Sequence, residues 1–139
     1  GRAALGRPAH TKHRVRAVPA AEEAEGFMKR VEKPWGYELW WAETDRYVGK
    51  LIHVNKGHAL SLQYHNRKDE TIFVHSGRIL FEIQEGDVLS RRELGPGQAV
   101  HVTPPTVHRM TALEDSDVFE VSTPETDDVV RLEDRYGRS

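Results

Sequence analysis

Turn-forming residues divide this chain into short segments, and their spacing limits the possible folds more than any other feature. From Glu38 onward, runs of about four to eight residues rich in β-branched and aromatic side chains alternate with Gly, Pro, Asn and Asp. Turn signals recur every ~8–12 residues, the spacing typical of strands in a β-sandwich or barrel. The sequence therefore predicts an all-β domain.

The beginning of the chain differs in composition from the rest. Residues 1–27 are rich in Ala, Arg and Pro, and only residues 20–25 favour a short helix. We expect residues 1–27 to form an N-terminal arm and residues 28–139 to form one domain. Met28 is a candidate natural start, and an ordered arm would pack on a neighbouring subunit.

Composition excludes several classes of function. A net charge of −2 and the absence of a polybasic stretch argue against a nucleic-acid partner or an anionic membrane surface. The chain has no cysteine, which excludes disulfides, thiolate zinc sites and a cysteine nucleophile. No apolar run approaches the ~18 residues of a membrane span. A cytoplasmic location is the expectation.

The segment 60–77 concentrates side chains that can bind a metal. Gln63 and His65 are two residues apart, so an extended strand places them on one face. Glu70 opens a strand-forming run after a short polar break, and a neighbouring strand would turn it toward His65. His108 follows a Pro-Pro turn later in the chain. This nitrogen and oxygen set suits one divalent transition metal: zinc, manganese, iron, cobalt or nickel.

The other histidines of the β-rich region are alternative ligands: His53, His58, His75 and His101. A histidine in a strand is often a surface residue or a hydrogen-bonded core residue. Spacing alone therefore leaves the metal assignment open.

Two short motifs resemble those of the cupins. The first comprises Gly57, His65, Glu70 and Gly77, and the second comprises Gly97, Pro104-Pro105 and His108. Longer strings are similar to the cupin domain of type II phosphomannose isomerases, which is often fused to a mannose-1-phosphate guanylyltransferase: KPWGYE (33–38), LSLQYH (60–65), HRM (108–110) and DDVVRLEDRYGR (127–138). The resemblance spans residues 31–138 and implies a jelly-roll barrel.

The chain departs from the isomerase pattern at two positions. Arg67 stands where those isomerases usually have a second histidine, and Thr71 stands where a histidine follows the glutamate. Arginine cannot ligate a metal. The resemblance implies that Gln63 takes the place of the missing ligand beside His65.

An aldose–ketose isomerase needs a group that moves a proton and a cation that binds phosphate. The candidate base is Glu120, whose alternative role is to orient a ligand histidine. The candidate cations are Arg109, Arg131, Arg138 and Lys33.

The C-terminal string 127–138 is the most specific part of the resemblance. We expect it to fold over the barrel mouth, anchored by Val129, Val130 and Leu132, with Arg131 turned inward as a catalytic residue.

Three functions fit these features. The resemblance implies a metal-dependent sugar-phosphate isomerase or epimerase of nucleotide-sugar or polysaccharide biosynthesis, with a phosphorylated sugar as substrate. The alternatives are a non-haem iron dioxygenase, because His65, Glu70 and His108 form a two-histidine, one-carboxylate set, and a non-catalytic sugar-binding cupin. Because cupin barrels leave an open sheet edge, we also expect a homodimer.

Overall fold

A computed structural model of the protein describes residues 29–139, so the predicted N-terminal arm lies outside the described residues. Within that range the chain forms eleven strands and contains no helix that could cross a membrane. The strands are β1 Lys29–Lys33, β2 Gly36–Glu43, β3 Val48–Val54, β4 Leu62–Tyr64, β5 Glu70–Ser76, β6 Ile79–Glu85, β7 Val88–Leu94, β8 Ala99–Val102, β9 His108–Ala112, β10 Ser116–Ser122 and β11 Val130–Glu133.

The strands form two sheets that face each other. The six-stranded sheet has the order β1-β2-β3-β10-β5-β8, and the five-stranded sheet has the order β11-β4-β9-β6-β7. Every pairing is antiparallel. The predicted all-β jelly roll is confirmed.

Alternation along the strands fills the space between the sheets. In β5, Ile72 and Val74 are buried while Phe73 and His75 are exposed, as expected for a strand with one face toward a core. Glu70 has the same parity as the buried pair, so the pleat also points it inward. The largest fully buried side chains of the core include Trp35, Ile52, Ile72, Ile79 and Phe81.

A β-bulge separates the two adjacent tryptophans of β2. The β2–β3 register shifts between Trp40 and Ala42, so Trp40 lines the interior cavity while Trp41 is on the outer face. The Trp41 ring covers Gly49, where a Cβ atom would lie 2.6 Å from ring carbons. This close approach leaves no room for a larger side chain at Gly49.

Asp128 attaches the C-terminal segment to the turn after β4. Its carboxylate accepts hydrogen bonds from the backbone N–H groups of Asn66 at 3.0 Å, Arg67 at 2.6 Å and Lys68 at 2.8 Å. Its backbone carbonyl accepts a fourth, 2.6 Å long, from Nδ1 of His65. These backbone hydrogen bonds lower the pKa of Asp128 from 3.8 to about 2.

We expect Asp128→Ala to lower the melting temperature at pH 7 by several degrees, because three backbone donors lose their acceptor. A carboxyl group with a depressed native pKa stabilises the fold above its ordinary pKa. The difference between the parent and the variant should therefore shrink as the pH falls from about 4 toward 2. Asp127→Ala is the control, since the neighbouring exposed carboxylate has no such hydrogen bonds, and equal melting curves for all three proteins would contradict this role.

Candidate metal centre and cavity

The structure brings together three of the four predicted metal ligands. His65 follows β4, Glu70 begins β5, and His108 begins β9. One nitrogen from each histidine and one Glu70 oxygen lie within 4.8 Å of one another, and the three residues are no more than 5% exposed. Such a cluster could hold one metal ion.

The hydrogen bonds of the two histidines fix which ring nitrogen faces the cluster. Nδ1 of His65 donates to the Asp128 carbonyl at 2.6 Å, and Nδ1 of His108 donates to the Thr106 carbonyl at 2.9 Å. In the neutral rings, the Nε2 lone pairs then point at Oε1 of Glu70, 3.3 Å from His65 and 2.9 Å from His108. Three electron-pair donors that converge in this way require protons or a cation between them, so these residues fit a metal ion.

Gln63 lies beside this cluster. Its Cα pairs with that of His108 across β4 and β9, and its side chain lines the same cavity as His65. Its amide oxygen accepts a 2.8 Å hydrogen bond from Ser61 Oγ. Its role as the fourth ligand stays a prediction.

A chain of buried charges continues from the cluster into the interior. The Lys68 ammonium lies 3.1 Å from Oε2 of Glu70 and 3.3 Å from Oε2 of Glu120. Lys50 lies 3.9 Å from Glu120 and 3.6 Å from Glu38. Acidic and basic groups alternate along this chain, which offsets part of the cost of burying each charge.

These buried charges shift one another's pKa values. Burial and the nearby negative charge of Glu70 raise the pKa of Glu120 to about 8. Burial alone would lower the pKa of Lys68, but Glu120 and Glu70 raise it above its ordinary value. Burial would raise the pKa of Glu70, but hydrogen bonds from Nε2 of His108 and His65 in their protonated forms, together with the charge of Lys68, hold it well below its usual range. The raised pKa places the titration of the Glu120 carboxyl group closer to neutral pH than that of an ordinary glutamate, while Lys68 stays charged.

A cavity of about 480 Å³ opens beside the cluster, and His65, Lys68 and Glu120 form part of its wall. Trp35 and Trp40 add aromatic surface. Six basic side chains line it: Lys29, Lys33, Lys50, Lys68, Arg131 and Arg138. Four acidic side chains also line it: Glu38, Glu43, Glu120 and Asp127. The cavity therefore borders the metal cluster at His65 and carries cations that can attract an anionic ligand.

The C-terminal string covers part of this cavity, as its sequence predicts. Val129, Arg131 and Arg138 contribute to the lining. A guanidinium N–H of Arg131 donates to the Ser139 carbonyl at 2.8 Å, while its buried Nε has no hydrogen-bond partner. The expected anchoring by Leu132 is wrong, because this side chain is 52% exposed and β11 lies at the edge of its sheet.

Arg109 does not line the cavity, unlike the other predicted substrate-binding cations. It alternates with the buried His108 and Met110 along β9 and so points to the outer face. There it binds Glu82 at 2.9 Å and Glu133 at 3.3 Å. The structure explains Arg109 as part of an ion-pair cluster.

The alternative histidines lie outside the three-residue cluster. His53 contacts Asp117 at 2.7 Å, His58 contacts the Tyr136 hydroxyl at 2.7 Å, and His101 contacts Asp69 at 2.6 Å. His75 is exposed on β5.

Sequence reasoning missed three residues of the site. These are Lys50, Lys68 and Asp128. The two lysines have no motif that separates them from ordinary charged residues on a surface or in a turn. The signal for Asp128 was its place in the string 127–138, and the signal for Lys50 was its position between apolar residues of a strand.

The comparisons with known proteins agree with this geometry. The cupin domain family matches residues 50–122, just over half of the chain. A mannose-1-phosphate guanylyltransferase from Escherichia coli K12 is 35% identical over 118 residues, which are 79% of this chain and 23% of the relative. The xanthan biosynthesis protein XanB from Xanthomonas campestris pv. campestris B100 is 31% identical over 134 residues, 92% of this chain and 28% of that protein. The chain thus spans about a quarter of the length of these curated relatives.

Solved structures share the fold. KdgF from Halomonas sp. superposes with a TM-score of 0.62 at 28% identity, covering 75% of this chain and 93% of that one. Oxalate decarboxylase from Bacillus subtilis superposes with a TM-score of 0.66 at 14% identity, covering 81% of this chain and 32% of that one. From the family match, the two relatives and the shared fold, we conclude that this chain belongs to the cupin family.

Proposed function

We propose that the chain is a metal-dependent isomerase or epimerase that acts on a phosphorylated sugar in nucleotide-sugar or polysaccharide biosynthesis. The observation that carries the proposal is the composition of one cavity, whose lining includes the candidate metal ligands Gln63 and His65, the buried carboxyl group of Glu120 and a group of cations. The similarity to a mannose-1-phosphate guanylyltransferase and to a xanthan biosynthesis protein supports a sugar phosphate as the ligand class.

Each part of the cavity would have a distinct task. His65, Glu70, His108 and Gln63 would hold the metal, which supplies Lewis acidity toward the substrate carbonyl when bound. Glu120 would take a proton from one carbon and return it to the neighbouring carbon, since a carboxyl group with a pKa near the working pH can do both. Arg131, Arg138 and Lys33 would bind the phosphate and fix the orientation of the sugar.

The metal centre makes a direct prediction. The purified protein should retain one divalent transition metal per chain, and each lost ligand should weaken binding by ~10-fold or more. Elemental analysis after dialysis should find no stoichiometric metal in a His65→Ala, His108→Ala double variant. The control is a His75→Ala, His101→Ala double variant, which removes two histidines outside the cluster. Full metal content in the first double variant would contradict the ligand assignment.

Arg131, in the C-terminal string, provides a test of the proposed isomerase activity. Incubation with a panel of hexose and pentose phosphates should show interconversion of an aldose and a ketose, or of two epimers, by proton NMR. Arg131→Ala should reduce turnover by ~10²-fold or more, because a charge-assisted contact to phosphate and its positioning effect are both lost. The melting temperature and metal content should stay near those of the parent.

Arg135→Ala is the matched control, since Arg135 is exposed and donates to the Gly57 carbonyl outside the cavity. Equal turnover in both variants would contradict the role of Arg131. Absence of turnover with every phosphosugar in the parent would contradict the isomerase.

A non-haem iron dioxygenase is the second candidate, because the three clustered side chains alone form the two-histidine, one-carboxylate set used by such enzymes. Iron in the purified protein together with oxygen uptake would favour it. Phosphosugar conversion without oxygen uptake would favour the isomerase. Ligand binding without any turnover would indicate a sugar-binding cupin.

The outer face of the six-stranded sheet supports the expected homodimer. Trp41, Phe73 and Val121 are 47%, 41% and 50% exposed there, and the Trp41 ring packs edge-on against Phe119. Light scattering at micromolar concentration should give twice the chain mass of 15.9 kDa. Val121→Glu should shift the mass toward the monomer, while Val88→Glu, on the other sheet, should not. A monomeric parent protein would contradict this proposal.

A further inference from the structure

Lys68 places a buried ammonium group directly behind the metal cluster. Its side chain is 7% exposed, and Nζ lies 3.1 Å from Glu70 and 3.3 Å from Glu120. Its backbone N–H also donates to the Asp128 carboxylate at 2.8 Å. Because both ends of the residue are held by carboxylates, the ammonium cannot leave the site without losing an ion pair in a buried environment.

The two oxygens of Glu70 face different partners. Oε1 lies 2.9 Å from Nε2 of His108 and 3.3 Å from Nε2 of His65, whereas Oε2 lies 3.1 Å from Nζ of Lys68. A carboxylate can bind a metal through one or both oxygens. Here the lysine occupies the side of the group that a second metal contact would use.

We propose that Lys68 is a positioning residue that sets the affinity of the metal centre. It holds Oε2 of Glu70, presents only Oε1 to the ion, and competes with the ion for the charge of that carboxylate. The fixed positive charge also repels a divalent cation at close range. The centre should therefore bind its metal less tightly than the same three residues would without the lysine.

This inference rests on the metal centre proposed above, and its test does not depend on turnover. Lys68→Met removes the charge and the hydrogen-bond donor, and Lys68→Gln removes the charge but keeps an amide N–H donor. The zinc dissociation constant is measured by competition with a chromophoric chelator. The visible absorption of the Co²⁺-loaded protein reports on coordination number. Circular dichroism and melting curves verify that each variant is folded.

We expect both variants to bind zinc ~10-fold or more tightly than the parent, because the repulsive charge is gone. Only Lys68→Met should also weaken the visible absorption of Co²⁺. The weaker absorption would indicate a higher coordination number, because Oε2 of Glu70 is then free to bind the ion. Lys50→Met is the matched control: it removes another buried lysine that contacts Glu120 and Glu38 but lies outside the contacts of Glu70. It should leave the zinc affinity and the Co²⁺ spectrum near those of the parent.

Unchanged affinity in the folded Lys68 variants would overturn the inference while the metal centre itself stands. An equal gain in Lys50→Met would also overturn it, since general electrostatics would then explain the effect. If Lys68→Met does not fold, Lys68→Gln decides the question of affinity by the same measurement. A parent protein that binds neither zinc nor Co²⁺ would overturn both the inference and the proposed metal centre.

Discussion

Charge buried between the two sheets is the constraint on which the rest of the structure depends. Glu38, Lys50, Lys68, Glu70 and Glu120 are all buried. An unpaired buried charge would be costly, and removing one partner from a buried ion pair typically costs ~3–5 kcal/mol. Acidic and basic side chains alternate along this chain of contacts, so each buried charge is stabilised by neighbours of opposite sign. A cavity built in this way has fixed charges, which is what binding and orienting an anionic substrate requires.

The C-terminal segment lines the cavity beside these buried charges and is attached to the rest of the barrel by Asp128 and Tyr136. Asp128 replaces water as the acceptor for three backbone N–H groups of the turn after β4, and the same residue orients the His65 ring through its carbonyl. One short stretch of chain thus fixes both the ligand turn and the tautomer of a ligand histidine. Tyr136 then packs against the core and contacts His58, so the segment is attached on both sides of β11.

The fold could be predicted from the sequence because its central strands follow the simple rule of alternation. In β5 and β10 buried and more exposed positions alternate along runs rich in β-branched and aromatic residues, and the turns between strands carry Gly, Pro or Asp. The edge strands β1 and β11 were not predicted. Edge strands bury little surface, and their sequences, KRVEK and VRLE, show little alternation of apolar and polar residues. The three residues of the cluster that could hold a metal were predicted from spacing and resemblance. Lys68 and Asp128 were not, because their roles depend on contacts between segments about 60 residues apart.

The two strands that the sequence did not predict both contribute cations to the cavity. Each forms one edge of its sheet, and β1 lines the cavity through Lys29 and Lys33, whereas β11 lines it through Arg131. The metal cluster instead depends on strands or turns nearer the centre of each sheet. The residues that identify the family therefore form the cluster, whereas cations near the two ends of the described chain would determine which ligand binds in the cavity. Under the proposed function, a substrate that spans both regions would place its phosphate near these cations and its reacting carbons near His65 and Glu120. This division allows one barrel to serve different chemistries, because the edge strands can change charge without disturbing the buried network.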